Sequence, residues 1–406
     1  MKILYFHQYF SIREGSTGTR SYEMAKKLIE RGHEVTMVCS DYGVNNTGIK
    51  KNYTNSKRKE VVSGINVIQY NYKSANKQNF FFRTIAFFRF SLSGIKLCLK
   101  EDYDLVFCSS TPLTAAIPGI FSKIFKNKYF IFEVRDLWPA LPKAMGVIRN
   151  PILLFLMESL EKKAYKKADH IIALSTGMQN GIISKNISSK KITVIPNGCD
   201  LDLFTKANAG DYLLPEKIDN KDFIILFSGA HGIANNLDTV LSVAKILIQR
   251  ERTDIKFLLV GDGIEKEKLK KRVNLEKIQN VIFKNPISKT DLAKLMNRCD
   301  LGLQVLANIE EFYNGTSPNK FFDYISSGLP VINNYPGWVA EIIKEKNCGF
   351  VVEPESIISF ADTIEYAADN IQELNQKGKN ARRVAENMFD RKIQAKKFVN
   401  LIESFL

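Results

Sequence analysis

Ser317-Pro318-Asn319-Lys320-Phe321-Phe322-Asp323-Tyr324-Ile325-Ser326-Ser327-Gly328-Leu329-Pro330-Val331-Ile332 reads as a turn, a helix start, an acid one turn in, a glycine stop and a short apolar strand. A helix that ends on glycine and runs into a buried strand is one step of a parallel α/β repeat, because parallel neighbours need a crossover. The free amides and dipole at such a helix start favour phosphate, and Asn319 and Lys320 sit there. Asp323 is placed to accept hydrogen bonds from two ribose hydroxyls. The plainer reading makes it an acid favoured by the helix dipole and nothing more.

The same grammar extends outward in both directions. From Phe223 it runs as strand Phe223 to Phe227, a glycine turn, helix Leu237 to Arg250, and strand Lys256 to Val260 entering Gly261-Asp262-Gly263. Val281 to Phe283, Leu301 to Val305, Val331-Ile332 and Phe350 to Val352 supply further strands. Before Phe223 lie Ile3 to Phe6, a Gly/Ser/Thr turn, helix Tyr22 to Glu30 ending at Arg31-Gly32, and strand Glu34 to Ser40. Leu105 to Cys108, Tyr129 to Phe132, His170 to Leu174 and Ile192 to Ile195 continue it. Short apolar strands between helices imply mostly parallel sheets.

A chain of 406 residues exceeds one ordinary core, so two α/β domains are expected. Pro, Gly and Asn cluster between Pro196 and Pro215, which sets the domains at residues 1–200 and 201–384. The tail has apolar and basic residues at helical spacing, and its last part, 385–406, is expected to cross back onto the first domain. Asn45 to Glu60, rich in Lys and Arg, is expected to be a mobile basic loop.

The net charge of +15 favours an anionic partner without separating nucleic acid, acidic lipid and phosphorylated substrate. Six dispersed cysteines without a C-x-x-C pair fit reduced thiols in the cytoplasm rather than zinc or a redox dithiol. The apolar run at Met1 to Phe6 is too short for a secretory signal. No stretch reaches the roughly 18 apolar residues of a membrane span. Asn79 to Leu99 comes nearest and is broken by Arg83, Arg89 and Lys96. Its six phenylalanines between Asn79 and Phe90 suit either a buried core helix or a helix lying in a bilayer interface whose arginines meet lipid phosphate.

Open parallel sheets bind ligands beyond the carboxyl ends of their strands, so those loops carry the candidate residues. The first, Glu14 to Arg20, offers Gly15 and Ser16 before a helix. Neither it nor Gly261 to Gly263 has the spacing of a dinucleotide fingerprint, which argues against a dehydrogenase, and no P-loop is present. Ser228-Gly229-Ala230-His231-Gly232 follows a strand of the second half, and Glu133-Val134-Arg135-Asp136-Leu137-Trp138-Pro139 follows one of the first. Within the latter, a Glu133–Arg135 or Arg135–Asp136 ion pair is the plain alternative to a ligand-facing role. No D-x-D pattern marks a metal site.

In order and content these segments resemble the retaining GT-B glycosyltransferases of family 4. Arg31 to Thr36, Ala168 to Ser175, Ile195 to Asp200, Val260 to Gly263, Cys299 to Leu303 and Ser317 to Ile332 match in sequence over roughly residues 1 to 355. The resemblance implies two Rossmann-like domains facing a cleft, acceptor on the first and nucleotide sugar on the second, with the C-terminal helix packed on the first. It implies metal-independent transfer, without a cofactor, of a sugar, an N-acetylated amino sugar from a UDP donor, to a polyprenyl-diphosphate-linked glycan of capsule or O-antigen. N-acetylfucosamine transferases are among the similar enzymes. Such an enzyme is cytoplasmic, peripheral on the inner face of the bacterial membrane, and takes an anionic membrane surface, not nucleic acid, as partner.

Asp323 falls on the second acid of the family's E-x7-E pattern and Gly315 on the first. The family's Arg and Lys for the pyrophosphate are replaced near Ala230 and Asn235/Asn236. His231, Lys320, the backbone at Gly229, Gly232 and Gly261, and the amides of Thr316, Ser317 and Asn319 are the expected compensation. Arg135 and Asp136 stand where the family has a His-Asp pair near the donor sugar. A non-hydrolysing nucleotide-sugar epimerase shares the architecture, and a non-catalytic anion- or membrane-binding protein is the third possibility.

Overall fold

The computed structural model describes residues 1–15, 18–43, 45–73, 80–205 and 212–406. The chain divides into two compact units: Met1–Asn197 with Asn314–Ser317 and Lys392–Leu406, and Gly198–Tyr313 with Pro318–Arg391. All six cysteines are free thiols.

The first unit holds β1 (Lys2–Phe6), β2 (Glu34–Ser40), β3 (Lys57–Val62), β4 (Ile65–Tyr70), β5 (Leu105–Ser109), β6 (Tyr129–Val134), β7 (His170–Ala173) and β8 (Ile192–Val194). Their order is β3-β4-β2-β1-β5-β6-β7-β8. Every pairing is parallel except β3 with β4. The central strand β1 is buried along Ile3 to Phe6, as a strand covered on both faces must be.

The expected mobile basic loop at Asn45 to Glu60 is corrected here. Its last part enters β3, where alternation over Lys57-Arg58-Lys59-Glu60-Val61-Val62 turns one side to solvent. Lysines on an edge strand discourage further pairing, and that same composition makes the segment look like a loop.

The second unit holds β9 (Phe223–Ser228), β10 (Ile255–Val260), β11 (Val281–Lys284), β12 (Leu301–Gln304), β13 (Val331–Asn333) and β14 (Gly349–Val351). They form an all-parallel sheet in the order β11-β10-β9-β12-β13-β14. The period of two is visible in its cores: Phe223, Ile225 and Phe227 pack into one layer, Ile224 and Leu226 into the other. β10 and then β11 are added on one side of β9, and β12, β13 and β14 on the other, so the switch point where ligands collect lies at the loops after β9 and β12.

The helix Arg391–Glu403 returns to the first unit from Lys392 onward. Phe398 sits 5.1 Å from Phe107 and 6.5 Å from Tyr5 between ring centroids. The return comes later than residue 385 because the backbones of Cys199 and Phe389–Arg391 pair within the second unit: Cys199 N donates to Phe389 O at 2.6 Å and Arg391 N to Cys199 O at 3.0 Å.

Candidate functional site

In the second unit the loops after β9 and β10 lock together. A Cβ on Gly261 would stand 1.8 Å from Gly229 O, and one on Gly263 would stand 2.3 Å from His231 O. Gly261 also adopts a φ of +151° that side chains disfavour. Gly229 N donates to Val260 O and His231 N to Asp262 O, whereas the alternating amides of Ala230 and Gly232 have no backbone partner among the described residues. Nothing lies within 4 Å of a Cβ built on Gly232. Lys266, which the sequence reading passed over, holds this arrangement: its Nζ donates to Gly261 O at 2.7 Å, Lys284 O at 3.2 Å and Asn285 Oδ1 at 3.0 Å.

Lys320 opens the helix Asn319–Ser327 behind Pro318 and reaches back to this loop. Its Nζ donates to Asn235 Oδ1 at 2.8 Å and lies 4.1 Å from the ring centroid of Phe227. No carboxylate among the described residues meets it. Burial without a counter-charge pulls the ammonium down to about 7. An amine with only neutral partners at a switch-point loop is available to an anion.

His231 does not supply a second positive charge. Its ring is buried 5.9 Å from both Phe227 and Phe283, and neither nitrogen has a hydrogen-bond partner among the described residues. Burial, then the charge of Lys266, lowers its pKa to about 4. At neutral pH His231 therefore enters the expected compensation as a neutral ring, with one N–H and one lone pair. Beside it, Lys266, Lys270, Phe283, Asn285 and Ile287 line much of a cavity of about 460 Å³ at the ends of β10 and β11.

Asp323 lies elsewhere in the unit, in a buried ionic cluster. Its Oδ1 is 3.2 Å from Lys289 Nζ, which also donates to Asp200 Oδ2 at 2.6 Å. Arg391 Nε donates to Asp200 Oδ1 at 2.7 Å. Burial raises the Asp323 carboxyl, while Asp200 is held well below the carboxylate range by Arg391 and Lys289 despite its own burial. One oxygen of the expected ribose ligand is thus committed to Lys289. A lysine in the first turn of the helix Lys289–Met296 opposes the helix dipole, a mismatch legible in sequence that signals a buried partner.

In the first unit, His7 follows β1 and was missed although it ends the central strand. Its Nε2 accepts from Arg135 Nη1 at 2.8 Å, which places its proton on Nδ1, 2.7 Å from Ser21 Oγ. Burial and then Arg135 push the imidazole well below its ordinary range. Arg135 makes neither of the ion pairs expected as alternatives, because Glu133 is taken by Arg20. Arg20 Nε donates to Glu133 Oε2 at 2.8 Å, and its other nitrogens donate to Pro196 O and Ile195 O at 2.6 and 2.9 Å. Asp136 accepts from Thr111 Oγ1 at 2.7 Å, and burial raises its carboxyl. His7, Arg135, Asp136 and Thr111 therefore gather beyond the ends of β1, β5 and β6.

The remaining candidates divide between the units. Gly15 is explained by packing, since a Cβ would meet Ser11 Oγ at 2.0 Å; Ser16 lies outside the described residues. Thr316 and Ser317 belong to the first unit, where Ser317 O accepts from Asn197 Nδ2 at 2.8 Å. Gly315 faces Leu137 and Leu141. Asn319 begins the Lys320 helix. Among the described residues no group of His, Cys, Asp and Glu is arranged to hold a metal.

Two family models share the chain: Glycosyltransferase Family 4 over residues 17–203 and Glycosyl transferases group 1 over residues 214–384. An uncharacterized glycosyltransferase of Methanocaldococcus jannaschii is 26% identical over 42% of this chain and 43% of its own length, so that match spans less than half of the relative. The UDP-Gal:alpha-D-GlcNAc-diphosphoundecaprenol alpha-1,3-galactosyltransferase of Escherichia coli is 26% identical over 74% of this chain and 75% of its own. The capsular polysaccharide biosynthesis glycosyltransferase CapM of Staphylococcus aureus is 23% identical over 80% and 83%. Among solved structures, Anabaena HepE in complex with UDP-glucose superposes with a TM-score of 0.72 at 16% identity, covering all of both chains.

Proposed function

This chain is a group 1 glycosyltransferase with a GT-B fold similar to family 4, and from that premise we propose that it transfers a sugar, with retention, from a nucleotide donor to a polyprenyl-diphosphate-linked glycan. The observation that carries the reading is Lys320, a lysine without a carboxylate partner beside the glycine loop after β9. Placed there, it would meet the donor diphosphate and stabilise the charge that develops as the bond to the sugar breaks. The amides of Ala230 and Gly232, without a backbone partner among the described residues, and the open space at Gly232 favour the same anion. The cavity beside Phe283 offers an aromatic wall and polar rim for the nucleoside.

In this reading the acceptor oxygen bonds to the anomeric carbon on the face from which the diphosphate departs. The acceptor proton passes to the leaving phosphate oxygen, so no protein nucleophile is required. His7 and Arg135 in the first unit suit the acceptor's diphosphate, because a neutral imidazole leaves the guanidinium charge uncancelled. A UDP-linked N-acetylated amino sugar is the proposed donor; the UDP-glucose named for the Anabaena structure and the UDP-Gal named for the Escherichia coli relative support the UDP carrier and not the sugar. Capsule or O-antigen assembly on the cytoplasmic face of the membrane is the proposed setting, in line with the Staphylococcus relative.

The test is turnover of a panel of UDP-sugars with a synthetic polyprenyl-diphosphate-linked GlcNAc, following UDP release and the anomeric configuration of the product by NMR. An axial donor should give an axial product. Inversion at the anomeric carbon would defeat the retaining mechanism, and interconversion of the free nucleotide sugar without acceptor would favour the epimerase.

A further inference from the structure

Resting on the reading of a nucleotide-sugar donor, we propose that Lys289 is a positioning residue for that donor. Its ammonium tethers Asp323 to the Asp200–Arg391 pair and so holds the Asp323 carboxylate where it accepts from the two secondary hydroxyls of a ribose. The four residues are far apart in sequence and meet inside the second unit. Ser288 Oγ accepts from Asp291 N at 3.0 Å, which caps the helix Lys289–Met296 and fixes where Lys289 begins it. Asp323 comes from the helix Asn319–Ser327, which packs against that helix. Asp200 and Arg391 follow Cys199 and Asp390, whose backbones pair.

The cluster balances two cations against two carboxylates but shares them unevenly. Asp200 accepts from Arg391 twice, Nε to Oδ1 at 2.7 Å and Nη2 to Oδ2 at 3.1 Å, and again from Lys289 Nζ at 2.6 Å. Arg391 alone balances Asp200, so the charge of Lys289 is the one that answers Asp323. Yet Asp323 receives only a 3.2 Å contact at Oδ1, and no hydrogen bond to its Oδ2 is present among the described residues. An ionised carboxylate offers about four acceptor positions, so Asp323 is held at one and keeps the rest. Access differs in the same sense: the Asp200 side chain is 1% exposed and that of Asp323 11%. An ion cluster built for stability alone satisfies both of its acids; this one satisfies Asp200 and leaves Asp323 open to a donor.

The same placement governs the charge of Asp323. Burial raises its carboxyl and Lys289 is the largest influence opposing that, while Asp200 raises it further and Arg391 lowers it. The other titratable neighbours, Cys199 and Tyr324, stay neutral, since burial pushes the thiol up to about 12 and raises the phenol as well. With Lys289 neutralised, Asp323 would face the Asp200 carboxylate and keep a proton, and a protonated carboxyl accepts from a diol less strongly than an ionised one. The diphosphate of the donor is left to Lys320, so Lys289 acts on the ribose alone.

The full chain is titrated calorimetrically with UDP and with its dideoxy analogue, whose ribose lacks both secondary hydroxyls, and the ratio of the two affinities is followed against pH. Both ligands carry the diphosphate, so the titration of Lys320 cancels in the ratio. Wild type should favour UDP by roughly tenfold or more. In Lys289→Gln the ratio should fall towards one and be partly regained as pH rises and the proton leaves Asp323. Lys289→Arg should restore it at every pH. Should Lys289→Gln not fold, Asp200→Asn/Lys289→Gln, which keeps the cluster neutral, replaces it with the same expected loss. A variant that is destabilised but keeps the wild-type ratio overturns the proposal and leaves Lys289 a structural ion. So does a wild-type chain that binds both ligands alike, with the nucleotide reading intact. A chain that binds neither ligand overturns the nucleotide reading itself, and this proposal with it.

Discussion

Arg20 in the first unit and Lys320 in the second both follow a loop at the carboxyl end of a parallel sheet, and their surroundings differ completely. Arg20 is wholly buried against Glu133 and two backbone carbonyls, all of its charge answered from within. Lys320 has an amide oxygen and an aromatic face, neither of which cancels it. An internally neutralised cation ties strands together; one with neutral partners waits for an anion. The surfaces differ as well. Exposed apolar side chains crowd three adjacent helices of the first unit, while in the second Ile233, Ile264, Leu275 and Ile358 stand apart on separate elements.

The largest effect should come from breaking the internal pair. Glu133→Gln leaves the Arg20 guanidinium buried without its counter-charge and should cost about 3–5 kcal/mol of stability, read as a lowered denaturant midpoint. A cost under about 1 kcal/mol would mean that the two carbonyls suffice and that the contrast with Lys320 is misdrawn.

Lys320→Met should do the reverse. Thermal stability holds or rises as an uncompensated buried charge is removed, while sugar transfer falls by about 1.5–3 kcal/mol per charged hydrogen bond lost, roughly 10- to 150-fold. The pH dependence follows in sign. With the ammonium near 7 in the free protein, donor affinity should weaken as pH rises beyond 7, and Lys320→Arg should flatten the profile. Because the folded value lies below the unfolded one, the same residue makes the ligand-free fold gain stability from pH 7 towards 10. Opposite slopes for donor affinity and apo stability are the signature to seek by calorimetry.

The smallest expected effect concerns the surfaces. Ile358→Ser, on an exposed side chain of the second unit, should change stability by no more than about 0.5 kcal/mol, read from the denaturant midpoint. A clearly larger cost would erase the distinction between clustered and scattered exposure.

The strand grammar was readable because fully buried parallel strands are short apolar runs bounded by glycine, as Phe223–Ser228 and Ile255–Val260 are. Lys57–Val62 escaped because an edge strand rich in lysine has the composition of a loop. Ser317 to Ile332 announced a helix start and an acid, but not their targets. Lys320 meets Asn235 across 85 positions and Arg20 meets Glu133 across 113, and no local pattern encodes such pairs. Asp323 shows the same limit: the motif points to ribose, whereas its contact with Lys289 exists only once the helix Lys289–Met296 is in place.

The clasp between Gly229 and Gly261 also bears on how this enzyme can be re-engineered. Saturation mutagenesis of the glycine loops would discard most of its library at Gly261 and Gly263, where any side chain strikes a neighbouring carbonyl. Gly232, with open space around it, is the position where a new side chain can be introduced while the loop keeps its shape, and so the one to vary in probing the proposed donor site.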